Sequence, residues 1–329
     1  MLNFWQSLPK PFFALAPMED VTDTVFREVV AGMADPKYLQ ILYTEFASVD
    51  GLNHPVGKKN VAHRLLVSDT ERALLKEKNI KLVVQIWGKN PELFHKIARE
   101  ITAEFDCDGI DVNMGCPVKK VVKNGCCSAL IDQPELAKEI ILATKEATHL
   151  PVSVKTRTGI RSHETERWMT TVMETKPAAV ILHGRTQKQQ SDGLADWDEI
   201  AKGAAVRNLV SPGTLFIGNG DVSSVAQGTE LAEKHGLDGI MVGRGIFHNP
   251  WFFRPNHPAP GKKERLSRLL FHTRLFEKTW ASRKSINILK RFYKIYTSEF
   301  TDASKLRVLL MEARSYDEIY RILDSELNV

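Results

Sequence analysis

Gly109-Ile110-Asp111-Val112-Asn113-Met114-Gly115-Cys116-Pro117 is the stretch on which the fold turns. Its first half is apolar and β-prone and reads as a buried strand. Gly115, Cys116 and Pro117 then break the run. The break leaves a thiol at a strand's carboxyl end, where α/β proteins place their chemistry. Two readings of Cys116 stand at this point: a proton donor or nucleophile, or a small buried hydrophobe.

Working outward, seven further apolar runs lie before residue 250, at 12–18, 41–46, 82–88, 152–157, 179–185, 215–220 and 239–245. Most of the intervening segments read as helices. Residues 25–33 follow Asp23 and Thr24, and residues 91–105 open after Asn90, an N-cap with Pro91 in the first turn. Residues 134–148 open after Asp132, and residues 222–235 follow Asp221. Strand and helix alternating eight times predict an α/β fold, a (β/α)8 TIM barrel spanning 1–250. A doubly wound open sheet is the alternative, but eight units in this length favour closure.

Pro250, Pro255, Pro258 and Pro260 then cluster, and residues 251–263 read as a linker. Beyond it, Leu266, Leu269, Leu270, Thr273 and Phe276 repeat at helical spacing. Ile286, Leu289, Phe292, Tyr293, Tyr296 and Phe300 repeat in the same way, and two shorter helices are predicted near 303–313 and 316–327. Residues 264–329 thus form a small helical bundle, of a size that leans on its neighbour for stability.

Charge divides along the same line. The 329 residues carry 45 Lys+Arg against 40 Asp+Glu. From Gly261 onward the count is 15 against 9, so the remainder is near neutral. A basic module beside a neutral one points to an anionic partner. No apolar stretch approaches the roughly 20 residues that span a bilayer. Residues 1–10 lack the order of a signal peptide, so a cytoplasmic protein without a membrane partner is expected. Cys107, Cys116, Cys126 and Cys127 form no C-x-x-C pair, and adjacent Cys126 and Cys127 suit neither a disulfide framework nor a tetrahedral site. No metal is expected.

In a barrel the carboxyl ends of the strands share one mouth. Here they carry Pro17 and Met18, Glu45, Gln85, Asn113 and Cys116, Lys155 and Arg157, His183 and Arg185, Asn219, Gly220 and Asp221, and Gly243 and Arg244. Packing alone does not call for polar groups at one end only. Glycines after strands seven and eight match the usual phosphate cradle of this fold, with Arg244 as a charged contact, or else form two tight turns. Lys155 can form a Schiff base, hold negative charge on a reduced cofactor, or snorkel from an exposed terminus. Lys155 and Arg157 differ by two, so they share a strand face. His183 is a site residue or a satisfied core histidine. Lys119, Lys120 and Lys123 make the neighbourhood of Cys116 basic, either for phosphate contact or as a solvated loop.

At these residues the chain resembles the tRNA-dihydrouridine synthases, a family of FMN flavoproteins. The resemblance rests on Ala16-Pro17-Met18-Glu19-Asp20-Val21-Thr22-Asp23, Val84-Gln85-Ile86, Asn113 to Pro117, Val154-Lys155-Thr156-Arg157, His183-Gly184-Arg185-Thr186, Gly218-Asn219-Gly220-Asp221 and Gly243-Arg244-Gly245. It implies that NADPH reduces FMN, and that hydride passes from flavin N5 to C6 of a uracil in tRNA. Cys116 would then protonate C5, with Asn113 near the substrate. Pro17, Met18, Glu19, Gln85, Lys155, His183, Asn219, Gly220, Asp221, Gly243 and Arg244 would hold FMN. A base must leave its stack to reach such a site, and grip on the surrounding RNA must offset that expense. Lys119, Arg157 and Arg185 at the mouth, and Lys290, Arg291 and Lys294 among the tail's aromatics, are candidates for that grip. The tail helix also reads as an apolar core face with a solvated charged face. An FMN-dependent reductase of a small pyrimidine or other activated alkene is the alternative, though it has no use for a basic tail. A monomer is expected. Two positions depart from the family pattern: Cys126-Cys127, where a glycine-alanine-like pair is expected, and Gln189-Gln190-Ser191, where an aromatic is common.

Overall fold

The computed structural model describes residues 3–328. Its centre is a ring of eight parallel strands: β1 (Phe12–Leu15), β2 (Ile41–Tyr43), β3 (Lys81–Trp87), β4 (Gly109–Met114), β5 (Val152–Arg157), β6 (Ala179–His183), β7 (Leu215–Asn219) and β8 (Gly239–Val242). Each pairs with the next, and β8 pairs back onto β1 with Phe12 opposite Gly239 and Leu15 opposite Val242. That last pairing closes the sheet and leaves no edge strand, as a TIM barrel requires.

Alternation along each strand sorts the side chains. Phe13, Leu15, Val84, Val112, Val154 and Leu182 face outward into the helices. Phe12, Ala14, Ile41, Tyr43, Val83, Ile181 and Ile217 face inward, and Trp5 packs beneath them against Phe12. The lower interior is therefore a filled apolar plug. The polar residues at the strand ends occupy the upper interior.

The helices follow their caps. Asp23 accepts from the Phe26 N–H at the start of Thr24–Met33, and Asn90 accepts from Glu92 and Leu93 at the start of Pro91–Glu104. Two expected caps fall elsewhere. Asp132 ends the short helix Cys127–Asp132, so Pro134–Glu146 starts after Gln133 without a side-chain cap. Helix Val225–His235 is capped by Ser224 rather than Asp221, whose carboxylate is held by two arginines.

The tail comprises Lys262–Trp280, Lys290–Tyr296, Ala303–Glu312 and Tyr316–Leu327. Lys262–Trp280 packs on Thr24–Met33, and Phe292 stacks on Phe26 with ring centres 5.0 Å apart. Trp251, Phe252 and Phe253 are buried, so the proline-rich segment opens as part of the core. One apolar cluster runs unbroken from the barrel's outer layer into the tail. Each large side chain so buried contributes roughly 1.5–3 kcal/mol. Among the described residues, no helix is long and apolar enough to cross a membrane.

Candidate active site

Register builds the floor of the site. Gln85 on β3 lies opposite Asp111 on β4, which lies opposite Ser153 on β5. Neighbours at one register height point to one face, so these three polar groups meet inside the barrel. Asp111 is wholly buried and accepts from Ser153 Oγ at 2.6 Å and Gln85 Nε2 at 2.7 Å. Burial pushes its carboxyl up to about 6, against the pull of those two hydrogen bonds. Gln85 Oε1 then accepts from Asn113 Nδ2 at 2.9 Å, and Asn113 Oδ1 accepts from the N–H groups of Gly115 and Cys116, each at 3.0 Å. Ser153, Asp111, Gln85 and Asn113 thus form a directed chain that ends on the backbone of the Cys116 turn. Each amide's orientation is fixed by the link before it.

Arg157 Nε donates to Gly115 O at 2.8 Å and so clamps the same turn, while Nη1 donates to Thr186 O and Gln190 O. Cys116 itself is half-buried. The neighbouring Cys127 thiol lowers the Cys116 thiol to about 7; burial opposes this, while the Val118 N–H assists. A proton donor works best near that value, with the proton both present and transferable at neutral pH.

Across the mouth lies a cavity lined by Pro17, Met18, Lys155, His183, Asn219, Gly220, Asp221, Gly243 and Arg244, together with Arg157 and Arg185. Four cations against one carboxylate make it an anion site. Burial, and then Arg157, lower the Lys155 amine to about 8; the walls keep bulk water from a side chain that still meets the cavity. Lys155 donates to Asn219 Oδ1 at 3.1 Å, and Asn219 Nδ2 is fixed by Met241 O at 2.8 Å. His183 is held well below its ordinary value by burial and by Lys155, Arg157, Arg185 and Arg244, so its ring is neutral. Arg185 Nη1 lies 3.1 Å from Nε2, and an arginine only donates, which puts the ring proton on Nδ1. Burial would raise Asp221, but Arg185 at 2.5 Å, the Ala195 N–H and Arg244 outweigh it and keep the group ionised.

At one end of the cavity the backbone is bare. Among the described residues, no protein acceptor takes the N–H groups of Gly220, Asp221, Gly243 or Arg244. Gly220 has φ +138°, and a Cβ on Gly245 would lie 2.4 Å from Val222 O. These two positions need glycine for the turns to approach so closely. Unpaired N–H groups beside Arg244 are the donor set of a phosphate site.

The dihydrouridine synthase family model matches residues 14–327. The chain belongs to the dihydrouridine synthase family. It is 43% identical over 325 residues to a protein of Staphylococcus epidermidis named probable tRNA-dihydrouridine synthase, covering 98% of this chain and 96% of that one. A Staphylococcus aureus protein of the same name is 43% identical over 324 residues, covering 98% and 95%. Probable tRNA-dihydrouridine synthase 2 of Bacillus subtilis is 41% identical over 324 residues, covering 98% and 96%.

Several sequence-derived candidates of this family member lie outside the cavity. Gln85 is buried beneath Asn113, and Glu19 pairs with Arg64 at 2.5 Å. Arg185 lines the cavity but is buried and bound to Gly193 O and Asp221. Lys119 is exposed on the short helix Lys119–Lys123 next to the Cys116 turn. In the tail, Phe292, Tyr293 and Tyr296 are core residues, while Arg291 and Lys294 are exposed and Lys290 is half-buried. Arg291 Nη1 donates to Asp20 O at 2.8 Å, tying the tail to the loop after β1. Of the two departures, Gln189 closes a turn onto Thr186, Ser191 lines the cavity, and Cys127 faces Cys116. Sequence reasoning missed Asp111 and Ser153; a charged residue in the middle of an apolar strand was the signal for the first.

Proposed function

We propose that the protein is an FMN- and NADPH-dependent tRNA-dihydrouridine synthase, which reduces the C5=C6 bond of uridines in tRNA. The observation that carries this reading is Cys116, held on a turn braced by Arg157 of the anion cavity, in a chain of this family. The residues present fit FMN. The unpaired N–H groups of Gly220, Asp221, Gly243 and Arg244 suit its phosphate. Lys155, the His183 Nδ1–H, Asn219, Pro17 and Met18 suit its ring system. FMN, when bound, supplies the hydride for uracil C6, drawn in turn from NADPH.

The chain's own residues supply the rest. Lys155 offers positive charge beside the ring where negative charge would accumulate. Cys116 holds a proton for C5, the carbon that hydride does not reach. Asn113 and Arg157 lock the turn from which that proton is delivered. Asp221 is a positioning carboxylate: its charge is taken up by Arg185 and Arg244, which aims both arginines. Lys119, Lys290 and Lys294 support the assignment of tRNA as substrate, since they offer phosphate contacts around the mouth and on the tail. A tRNA substrate places the enzyme in the cytoplasm.

The test is the Cys116→Ala protein. It should retain FMN, with its yellow absorption, and lose dihydrouridine formation in tRNA. Turnover at the parental rate would remove Cys116 as the acid. A colourless parent protein that takes up no FMN would overturn the whole reading.

A further inference from the structure

Asp111 is fully buried, and both of its hydrogen-bond partners are neutral side chains. A charge buried without a cation in contact works against folding, and its neighbours along β4, Ile110 and Val112, are apolar. Packing therefore gives no reason for an acid here, but the row of hydrogen bonds above it does. An ionised carboxylate only accepts, so Gln85 must turn its amide nitrogen to Asp111 and its oxygen to Asn113. Asn113 then turns its nitrogen to Gln85, and its oxygen accepts from the N–H groups of Gly115 and Cys116, which only donate. Reversing either amide would set two donors or two acceptors face to face. One orientation satisfies the whole row, and the carboxylate at its buried end selects it. The carbonyls of the same turn are also taken: Gly115 O accepts from Arg157 Nε and Cys116 O from Ser128 Oγ, each at 2.8 Å. The peptide planes on both sides of the Cys116 Cα are thus held, and with them the direction of its side chain.

We propose that Asp111 is a positioning residue for the reaction: through Gln85 and Asn113 it fixes the turn from which Cys116 delivers its proton. The proposal rests on the reading of Cys116 as the acid of the reaction. Asp111 does not line the cavity, and its hold on the turn passes through three successive hydrogen bonds. A second route from the same carboxylate has to be told apart from this one. Lys155 stands two residues beyond Ser153 on the same face of β5, so the Asp111 charge also favours the protonated amine. Asp111→Asn removes the charge and keeps the row, since its oxygen can accept from Gln85 Nε2 and its nitrogen can donate to Ser153 Oγ. Asp111→Leu removes both. The charge route makes the two substitutions equal; the row makes them differ.

The test is amide hydrogen exchange at Gly115 and Cys116 in the full-length protein at about pH 8, where Asp111 is ionised. The amides of β4 serve as the internal reference. In Asp111→Leu, protection at these two amides should fall about tenfold relative to β4. Gln85→Met cuts the row one link higher and should do the same, which keeps the test open where Asp111→Leu fails to fold. Asp111→Asn should stay within about twofold of the parent. Kinetics supply the second readout. Reduction of the flavin by NADPH makes no use of Cys116, and it should be equal in Asp111→Asn and Asp111→Leu, which lose the same charge. Reoxidation by tRNA should be about tenfold slower in Asp111→Leu than in Asp111→Asn, with the KM for tRNA shared. Unchanged exchange in both Asp111→Leu and Gln85→Met would overturn the proposal. So would Asp111→Asn that exchanges as fast as Asp111→Leu, or reoxidation at the parental rate in a protein whose turn has loosened. Exchange needs neither tRNA nor turnover, so its outcome is separate from the Cys116→Ala test of the reaction.

Discussion

Asp111 ties the stability of the fold to pH in a direction that can be worked out. Burial pushes its carboxyl up to about 6 from an ordinary 3.8. A carboxyl raised in the folded state favours folding while it is protonated. That contribution is complete below the unfolded value near 3.8, and it is lost as pH rises through about 6. The rise corresponds to roughly 3 kcal/mol between acid and neutral pH. Asn in its place cannot ionise. Its Oδ1 can accept from Gln85 Nε2, and its amide can donate to Ser153 Oγ, whose proton is free to turn. Asp111→Asn should therefore keep the polar row while removing the pH dependence.

The assay is thermal unfolding of both proteins across pH 5 to 8. Other ionisable groups are common to the two and cancel in the difference. The parent should lose ground relative to Asp111→Asn as pH rises, by about 1.4 kcal/mol over this range, the part of the total that remains above pH 5, or roughly 2 °C in Tm for a chain of this size. A difference that stays flat with pH would refute the reasoning, and so would one that widens toward acid.

Two further outcomes follow from the same geometry. Gly245→Ala places a Cβ 2.4 Å from Val222 O, a backbone atom that cannot swing aside, so the phosphate turn must open; purified protein should carry several-fold less flavin per chain, and full occupancy would contradict the cradle. Lys284→Met strips the shared cation from Asp23 at 3.0 Å and buried Glu45 at 3.7 Å, where it also lies 4.2 Å from the Trp280 ring centre; breaking such a buried cluster should cost about 3–5 kcal/mol, and an unmoved Tm would show that the tail docks without it.

The barrel was legible because apolar runs repeat with helical intervals, and because polar residues gather at only one end of them. That nine of the expected cofactor residues line one cavity was legible for the same reason: strand ends converge wherever a barrel closes. What one sequence position cannot display is its lateral neighbour. Asp111 reads as an odd acid in Ile-Asp-Val until register sets it between Gln85 and Ser153. Asp221 reads as a helix cap until the chain turns left-handed there and hands its carboxylate to Arg185 and Arg244. Lys284 lies in an unremarkable polar stretch, and its partners are 261 and 239 residues away. The aromatics around Lys290 could serve bases or a core; packing on Phe26 decides for the core.

Stability and chemistry occupy different heights of the same strands. On β6 the inward residues run Ala179, Ile181, His183; on β7 they run Leu215, Ile217, Asn219. Each step of two residues climbs about 7 Å toward the mouth, so the period that selects the face also grades polarity from plug to site. The upper layer is then dense with like charge, and His183 is neutral because burial, and then the four cations around it, oppose its protonation. Such a cluster repels itself, and Asp221 answers only two of its members. The phosphate of the proposed cofactor would complete the balance. The carboxylate that braces the arginines and the bare glycine turns are thus two halves of one electrostatic design: the first holds the cations in place, and the second leaves the space between them for an anion.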